Sequence, residues 1–250
     1  MMRILPEIKE SRGEKVFVNG ELERRMLLMC YYVVFGKPLS EVKTDFGDSV
    51  RTETIEMALF SIFKEDSIFA EFMSLMKFQY EQIDFVAERI HELGDAYPIE
   101  LHCAYSRELI LVALGRSNEQ RKYPSREGTL PITEDNLDVF FVTLNKTEKE
   151  YSPTTMYQDY IINEELFHWQ SQSTTSVESK TGIRYINQRK TNGKVLLFLR
   201  ENASDDYVTM PFTCLGLVEY EEHSGSLPIS IKYRLKRAMP GKLLENSMIV

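Results

Sequence analysis

Cysteine is scarce here: Cys30, Cys103 and Cys214 are the three in the chain, and they lie far apart. An odd count without close spacing argues against a disulfide framework and against a Cys-x-x-Cys zinc site. The one His–Cys adjacency, His102-Cys103, leaves a metal site with Cys214 and His223 as an alternative that the wide spacing disfavours. Glycine (12) and proline (9) are few among 250 residues, which excludes a low-complexity or disordered chain. No apolar run reaches the roughly 20 residues that span a bilayer; residues 25–35 come closest. The start, Met1-Met2-Arg3-Ile4-Leu5-Pro6, lacks the apolar region of a signal peptide, so a cytoplasmic protein with no membrane partner is expected. Also missing are Gly-x-x-x-x-Gly-Lys-Ser/Thr, Gly-x-Gly-x-x-Gly, His-Glu-x-x-His, Gly-x-Ser-x-Gly and a His-x-Lys pair. No catalytic residue, metal or cofactor is therefore assigned.

Positive charge is in deficit. The net charge is −8, which by itself disfavours a nucleic-acid partner. The distribution is uneven: residues 1–100 carry a net −7, and residues 101–250 a net −1. Two stretches of the second part contain no acid. Residues 180–200 hold Lys180, Arg184, Arg189, Lys190, Lys194 and Arg200; residues 231–242 hold Lys232, Arg234, Lys236, Arg237 and Lys242. Clustering is the electrostatic footprint of a phosphate binder, and two ordinary solvated faces are the alternative.

With 43% hydrophobic residues the chain can build one large core or two modest ones. Residues 1–18 read as irregular, or as one short strand at 15–18. Asn19 precedes a helix over 20–35 that Gly36 and Pro38 stop, and from Met26 to Phe35 it is apolar all round. A second helix is predicted over 52–64, with Ile55, Leu59, Ile62 and Phe63 at helical spacing. A third starts near Ser67 with Ile68, Phe72, Leu75, Met76 and Tyr80 on one stripe, and a further helical piece spans 82–93. Residues 1–95 thus read as a helical module and residues 96–250 as a mixed domain. There Ser106 caps a helix over 107–114, residues 116–136 look loop-like, and residues 137–144 form a central strand apolar on both faces. Strands follow at 194–200, 212–220 and 227–235, with a helix at 182–190 and a final helical turn after Pro240.

Phe167-His168-Trp169-Gln170-Ser171-Gln172 holds the single tryptophan and alternates as a strand does. One face carries Phe167, Trp169 and Ser171; the other carries His168, Gln170 and Gln172, which are neutral hydrogen-bonding groups rather than charges. Such groups suit the reading of a ligand, and a half-buried strand with a core tryptophan is the plainer alternative.

The order of several segments resembles domain-of-unknown-function family 3427. They are residues 139–146 (VFFVTLNK), 151–157 (YSPTTMY), 167–172 (FHWQSQ), 181–187 (TGIRYIN), 195–198 (VLLF), 212–216 (FTCLG) and 223–229 (HSGSLPI). The resemblance runs from about residue 70 to the end. It implies the C-terminal domain of bacterial DEAD/DEAH-type helicases and ATP-dependent restriction enzymes with a phospholipase-D-type nuclease. In those systems the domain is the suspected DNA reader, similar in role to the SET-and-RING-associated domains that flip out 5-methylcytosine. The fold expected is α+β: a helical module, then a mixed, partly closed β-barrel flanked by helices. The partners implied are DNA, with 5-methylcytosine as the candidate base, and helicase and nuclease domains in cis or in trans; motor and nuclease are absent from this chain.

On that reading Trp169, Tyr157, Tyr160 and Tyr185 are candidate stacking platforms, and Gln170, Gln172, Asn187 and Asn145 candidate edge readers that both donate and accept. Lys180, Arg184, Arg189, Lys190, Lys194 and Arg200 are candidate phosphate ligands. Two other classes stand beside it: a protein-interaction module docking on a helicase motor, and a metal-dependent nuclease built on Glu178 and Lys180 of Glu178-Ser179-Lys180.

Overall fold

The computed structural model describes residues 3–16, 18–83, 88–124, 127–145, 158–205 and 208–248. It divides into two compact units, residues 1–99 with 106–124 and residues 100–105 with 125–250.

The first unit is helical: α1 (Ile4–Glu10), α2 (Gly20–Phe35), α3 (Leu39–Phe46), α4 (Ile55–Phe63), α5 (Asp66–Glu81) and α6 (Arg107–Ala113). The all-apolar run of α2 is spent inside this unit. Leu27 to Tyr32 and Phe35 are buried, and α2 packs on α4 and α6. Thr54 and Ser106 cap α4 and α6 by accepting from the amides of Met57 and Leu109. Three expectations need correction. The N-terminal segment contains α1 rather than a strand; Phe17, in the middle of the expected strand, lies outside the described residues. Of the helical piece expected over 82–93, residues 84–87 lie outside the described residues, and 91–93 form a single 3-10 turn. The inward side of α5 is set by Phe69 and Phe72, whose rings meet Phe63, so Ile68 and Leu75 point out (48% and 54% exposed).

The second unit is built on a mixed sheet. Its strands are β1 (Ala104–Tyr105), β2 (Thr129–Ile132), β3 (Leu137–Thr143), β4 (Tyr160–Ile161), β5 (Leu166–Gln170), β6 (Lys194–Arg200), β9 (Phe212–Ser224) and β10 (Ser230–Leu235); β7 (Ser204–Asp205) and β8 (Val208–Thr209) form a separate hairpin. The order is β2-β3-β6-β9-β10-β5-β4, with β1 also on β9, and β3–β6 is the parallel pair. The sheet is open, not a partly closed barrel. Among the described residues it ends at β2 and β4, and each end resists further pairing: Pro131 removes a donor from β2, and β4 has two residues. All seven residues of β3 are buried, as a central strand apolar on both faces requires.

Helix α7 (Lys180–Ile186) starts two residues before the expected position because Ser179 accepts from the Gly182 amide and sets the helix start. Gly182 itself is held in close contact. A Cβ there would lie 2.0 Å from the Ser176 carbonyl oxygen and 2.9 Å from Ile229 Cδ1. Gly182→Ala is expected to cost about 1–3 kcal/mol by overpacking, read as a lower urea midpoint; an unchanged midpoint would mean that this contact yields freely.

Candidate nucleic-acid interface

Strands β9, β10, β5 and β4 lie side by side, and the alternation of β5 decides what each face carries. Phe167 and Trp169 turn inward, where they join Phe140, Tyr185, Ile231 and Tyr233 in one core. His168 and Gln170 turn outward. The pairing Tyr160↔His168↔Lys232↔Glu222 forms a row across four strands, and Gln170↔Ser230↔Ser224 forms the next. Cα partners share a face, so these side chains together form the outer surface of this half of the sheet.

On that surface the Tyr160 and His168 rings are stacked, 4.4 Å apart and 12° from parallel, and Tyr160 remains 50% exposed. His168 Nδ1 donates to the Gln158 carbonyl at 2.7 Å, which puts the ring proton on that nitrogen. Gln170 is tied down on both sides. Its Oε1 accepts from the Gln158 amide (3.1 Å), its Nε2 approaches Ser230 Oγ (3.5 Å), and its own amide donates to Asp159 (2.9 Å). Lys232 pairs with Glu222. The result is a patch of one exposed aromatic stack, the neutral Gln170 and Ser230 side chains, and charged groups that are already engaged, Lys232 with Glu222 and Asp159 with the Gln170 backbone amide.

The structure separates the other sequence-derived candidates. Trp169 is 4% exposed and Tyr185 3%. The Trp169 ring stacks on Phe140 (4.2 Å, 19°) and meets Tyr185 edge-on (5.2 Å, 90°), so in this arrangement it has no free face for a base. Burial also pushes the Tyr185 hydroxyl up to about 12. Tyr157 lies outside the described residues. Gln172 donates to Glu127 (3.2 Å), Asn187 donates to the Ile183 carbonyl at the end of α7 (3.0 Å), and Asn145 donates to Asn202 (3.1 Å). Asn145 and Arg200 sit at one end of β3 and β6, and Lys194 at the other, so these residues do not converge on the Tyr160 patch.

The basic clusters look different in three dimensions. Antiparallel pairing brings the acids of β9 against the acid-free run of β10. Arg234 pairs with Glu221 (3.0 Å) and Glu165 (2.9 Å), and Lys236 approaches Glu219 (3.7 Å). Arg189 from the earlier run also reaches Glu221 (2.9 Å), and Arg234 foremost holds that carboxyl below the usual carboxylate range. Arg184 grips the buried Asp138 with two bonds (2.7 and 2.8 Å). Arg200 donates to Thr143, to the Ala203 and Met210 carbonyls, and lies over the Phe212 ring (4.3 Å). Lys180, Lys190 and Lys194 are the members of the first run whose side chains have neither an ion pair nor a hydrogen bond among the described residues. Sequence reasoning missed Ser230, Gln158 and Asp159 as parts of the patch; the Ser230-Ile231-Lys232 alternation was the available signal for the first. Among the described residues no three metal-ligating side chains are gathered, and Glu178 caps no such cluster.

The family model for Domain of unknown function (DUF3427) matches residues 99–246. No curated protein matches the chain by sequence. Among solved structures, Arabidopsis thaliana SUVH6 in complex with SAM is similar over 94% of this chain, with 14% identity and a TM-score of 0.35. The chain spans 40% of the length of that protein. A likeness at this level fixes neither fold nor function.

Proposed function

This chain belongs to the family Domain of unknown function (DUF3427), and from that premise we propose that it is a DNA-reading domain whose contact surface is the outer face of β4, β5 and β10. The observation that carries this reading is the exposed Tyr160–His168 stack with the neutral Gln170 amide and Ser230 hydroxyl one row away. An aromatic face accepts any base, and an amide or hydroxyl beside it reads the base edge. Trp169 and Tyr185 then support the sheet from behind rather than touching the ligand. The wider setting, a helicase-linked restriction or phage-defence system with 5-methylcytosine as the candidate target, rests on the sequence resemblance. No helix of the described residues is long and apolar enough to cross a membrane.

The test is a mobility shift at two salt concentrations, with duplexes alike except for cytosine, 5-methylcytosine or 5-hydroxymethylcytosine. Binding is expected to have a shallow salt dependence. With Lys180, Lys190 and Lys194 as the cations of the first run that have no ion pair or side-chain hydrogen bond among the described residues, the slope of log K against log salt should be no steeper than about −3. Preference for one modified duplex would establish base reading. Absence of any shift at the lower salt would move the assignment to the second reading, a protein-interaction module. That reading is favoured by α5, which has no buried residue and exposes Leu75, Phe78 and Tyr80 at 54%, 54% and 66%. Its signature would be co-elution with a helicase motor that Leu75→Ser with Phe78→Ser abolishes.

A further inference from the structure

The geometry points to an unpaired base in a single strand, rather than a base inside an intact duplex, as what the Tyr160 patch takes. This rests on the DNA reading above and names the form of DNA it requires. A paired base offers a protein only its edges in the grooves, so contact with the Tyr160 ring would require flipping. Flipping costs a few kcal/mol, and one stacking contact returns about 1–3 kcal/mol. On most duplex readers phosphate contacts make up the difference. On this face the β10 cations are already engaged: Lys232, the cation in the Tyr160–His168 row, is paired with Glu222, and Arg234 is held by Glu221 and Glu165. A strand that is already unpaired avoids the flipping cost altogether.

The surface also has the form that such a strand needs. Among the described residues it is the outer face of β4, β5 and β10, a surface along which neighbouring nucleotides can continue. Tyr160 is half exposed and its ring is already oriented by His168, so a base adds as the third ring of an existing stack. Gln170 and Ser230 stand one row along the strands, and exchange of their weak mutual contact (3.5 Å) for a bond to the base edge costs little.

Fluorescence anisotropy with labelled oligonucleotides at low salt tests this. The arms are a DNA single strand, the same sequence as a duplex, and an RNA single strand. The DNA single strand is expected to bind at least tenfold more tightly than the duplex. Tyr160→Ala should weaken it by about 10- to 100-fold, and Tyr160→Phe should restore it. The fold of each variant is checked by its thermal melt. An RNA strand binding as well as the DNA strand supports the proposal and shows that the base, not the sugar, is read. A duplex bound as tightly as the single strand overturns the inference and leaves DNA reading standing. Single-strand binding that Tyr160→Ala does not change overturns this surface as the site. No binding in any arm overturns both.

Discussion

Trp169→Ala is expected to destabilise the sheet unit by about 3–5 kcal/mol, with no direct effect on a DNA contact. The ring is 4% exposed and is held between Phe140, Tyr185 and Tyr233, so its removal leaves a cavity that three other aromatic rings line. The β5 strand that carries it is fixed on both sides, by Ile231 of β10 and by the β4 pairing, and cannot move inward to fill the space. Lost aromatic pairing adds to the cavity cost, about 0.5–1.5 kcal/mol for each well-formed pair. The urea midpoint, followed by circular dichroism, measures the loss. Trp169→Phe should recover more than half of it. As the single tryptophan, Trp169 also reports ligand binding in the unaltered protein. Saturating DNA should leave its emission nearly unchanged, because the proposed contact is on the other side of β5. Strong quenching by DNA, together with a Trp169→Ala variant as stable as the parent, would restore Trp169 as the platform and sink the outer-face assignment.

The tryptophan shows what a sequence can and cannot reveal. The alternation Phe167-His168-Trp169-Gln170 is a period-two pattern, and it predicts two faces correctly as a local property of the strand. It marks the apolar face as the one to be covered, but cannot say what covers it or whether the ring keeps a face free for a ligand. That depends on Phe140, Tyr185 and Tyr233, each far away in the chain. The apolar run of β3 was legible because it is apolar on both faces, which only burial on both sides accommodates. Helix α3 was less so, although Leu39, Val42 and Phe46 stand at helical spacing, because the stripe is short, directly follows Pro38 and buries one residue, Val42. Strand β2 was hidden by its brevity and by Pro131. The largest misreading was electrostatic. Residues 231–242 contain no acid, yet Glu219, Glu221 and Glu222 come beside them because β9 and β10 are antiparallel neighbours. A run of one charge is a property of the sequence, whereas a patch of one charge is a property of the strand order. The open sheet escaped for the same reason: closure depends on whether the two end strands meet, and neither end strand carries that information locally.

Arg184→Ala makes the same point from the opposite direction, because a residue read as a phosphate ligand is expected to act as a structural clamp. Its guanidinium holds Asp138 bidentately at 2.7 and 2.8 Å, and the Asp138 side chain is 6% exposed. Breaking a buried pair by deleting one partner typically costs 3–5 kcal/mol, since the other charge is left uncompensated. Arg184 is itself 31% exposed, so water can reach the vacated position, and a loss near the lower end, about 3 kcal/mol at neutral pH, is expected. The pH dependence is the distinguishing sign. Burial already pushes the Asp138 carboxyl above the usual carboxylate range, and Arg184 is what opposes that push. Without Arg184 the rise becomes larger. A carboxyl with a raised folded pKa favours folding fully below its unfolded value, about 3.9, and that contribution is lost as pH rises through the folded value. The deficit of the variant relative to the parent should therefore shrink on going from pH 7 toward pH 4, as the stranded carboxyl takes up a proton. Asp138→Asn in the Arg184→Ala background removes the charge outright and should recover much of the stability at pH 7 while flattening the pH dependence. A phosphate-binding role predicts otherwise: an unchanged urea midpoint at every pH, with DNA affinity as the property that falls.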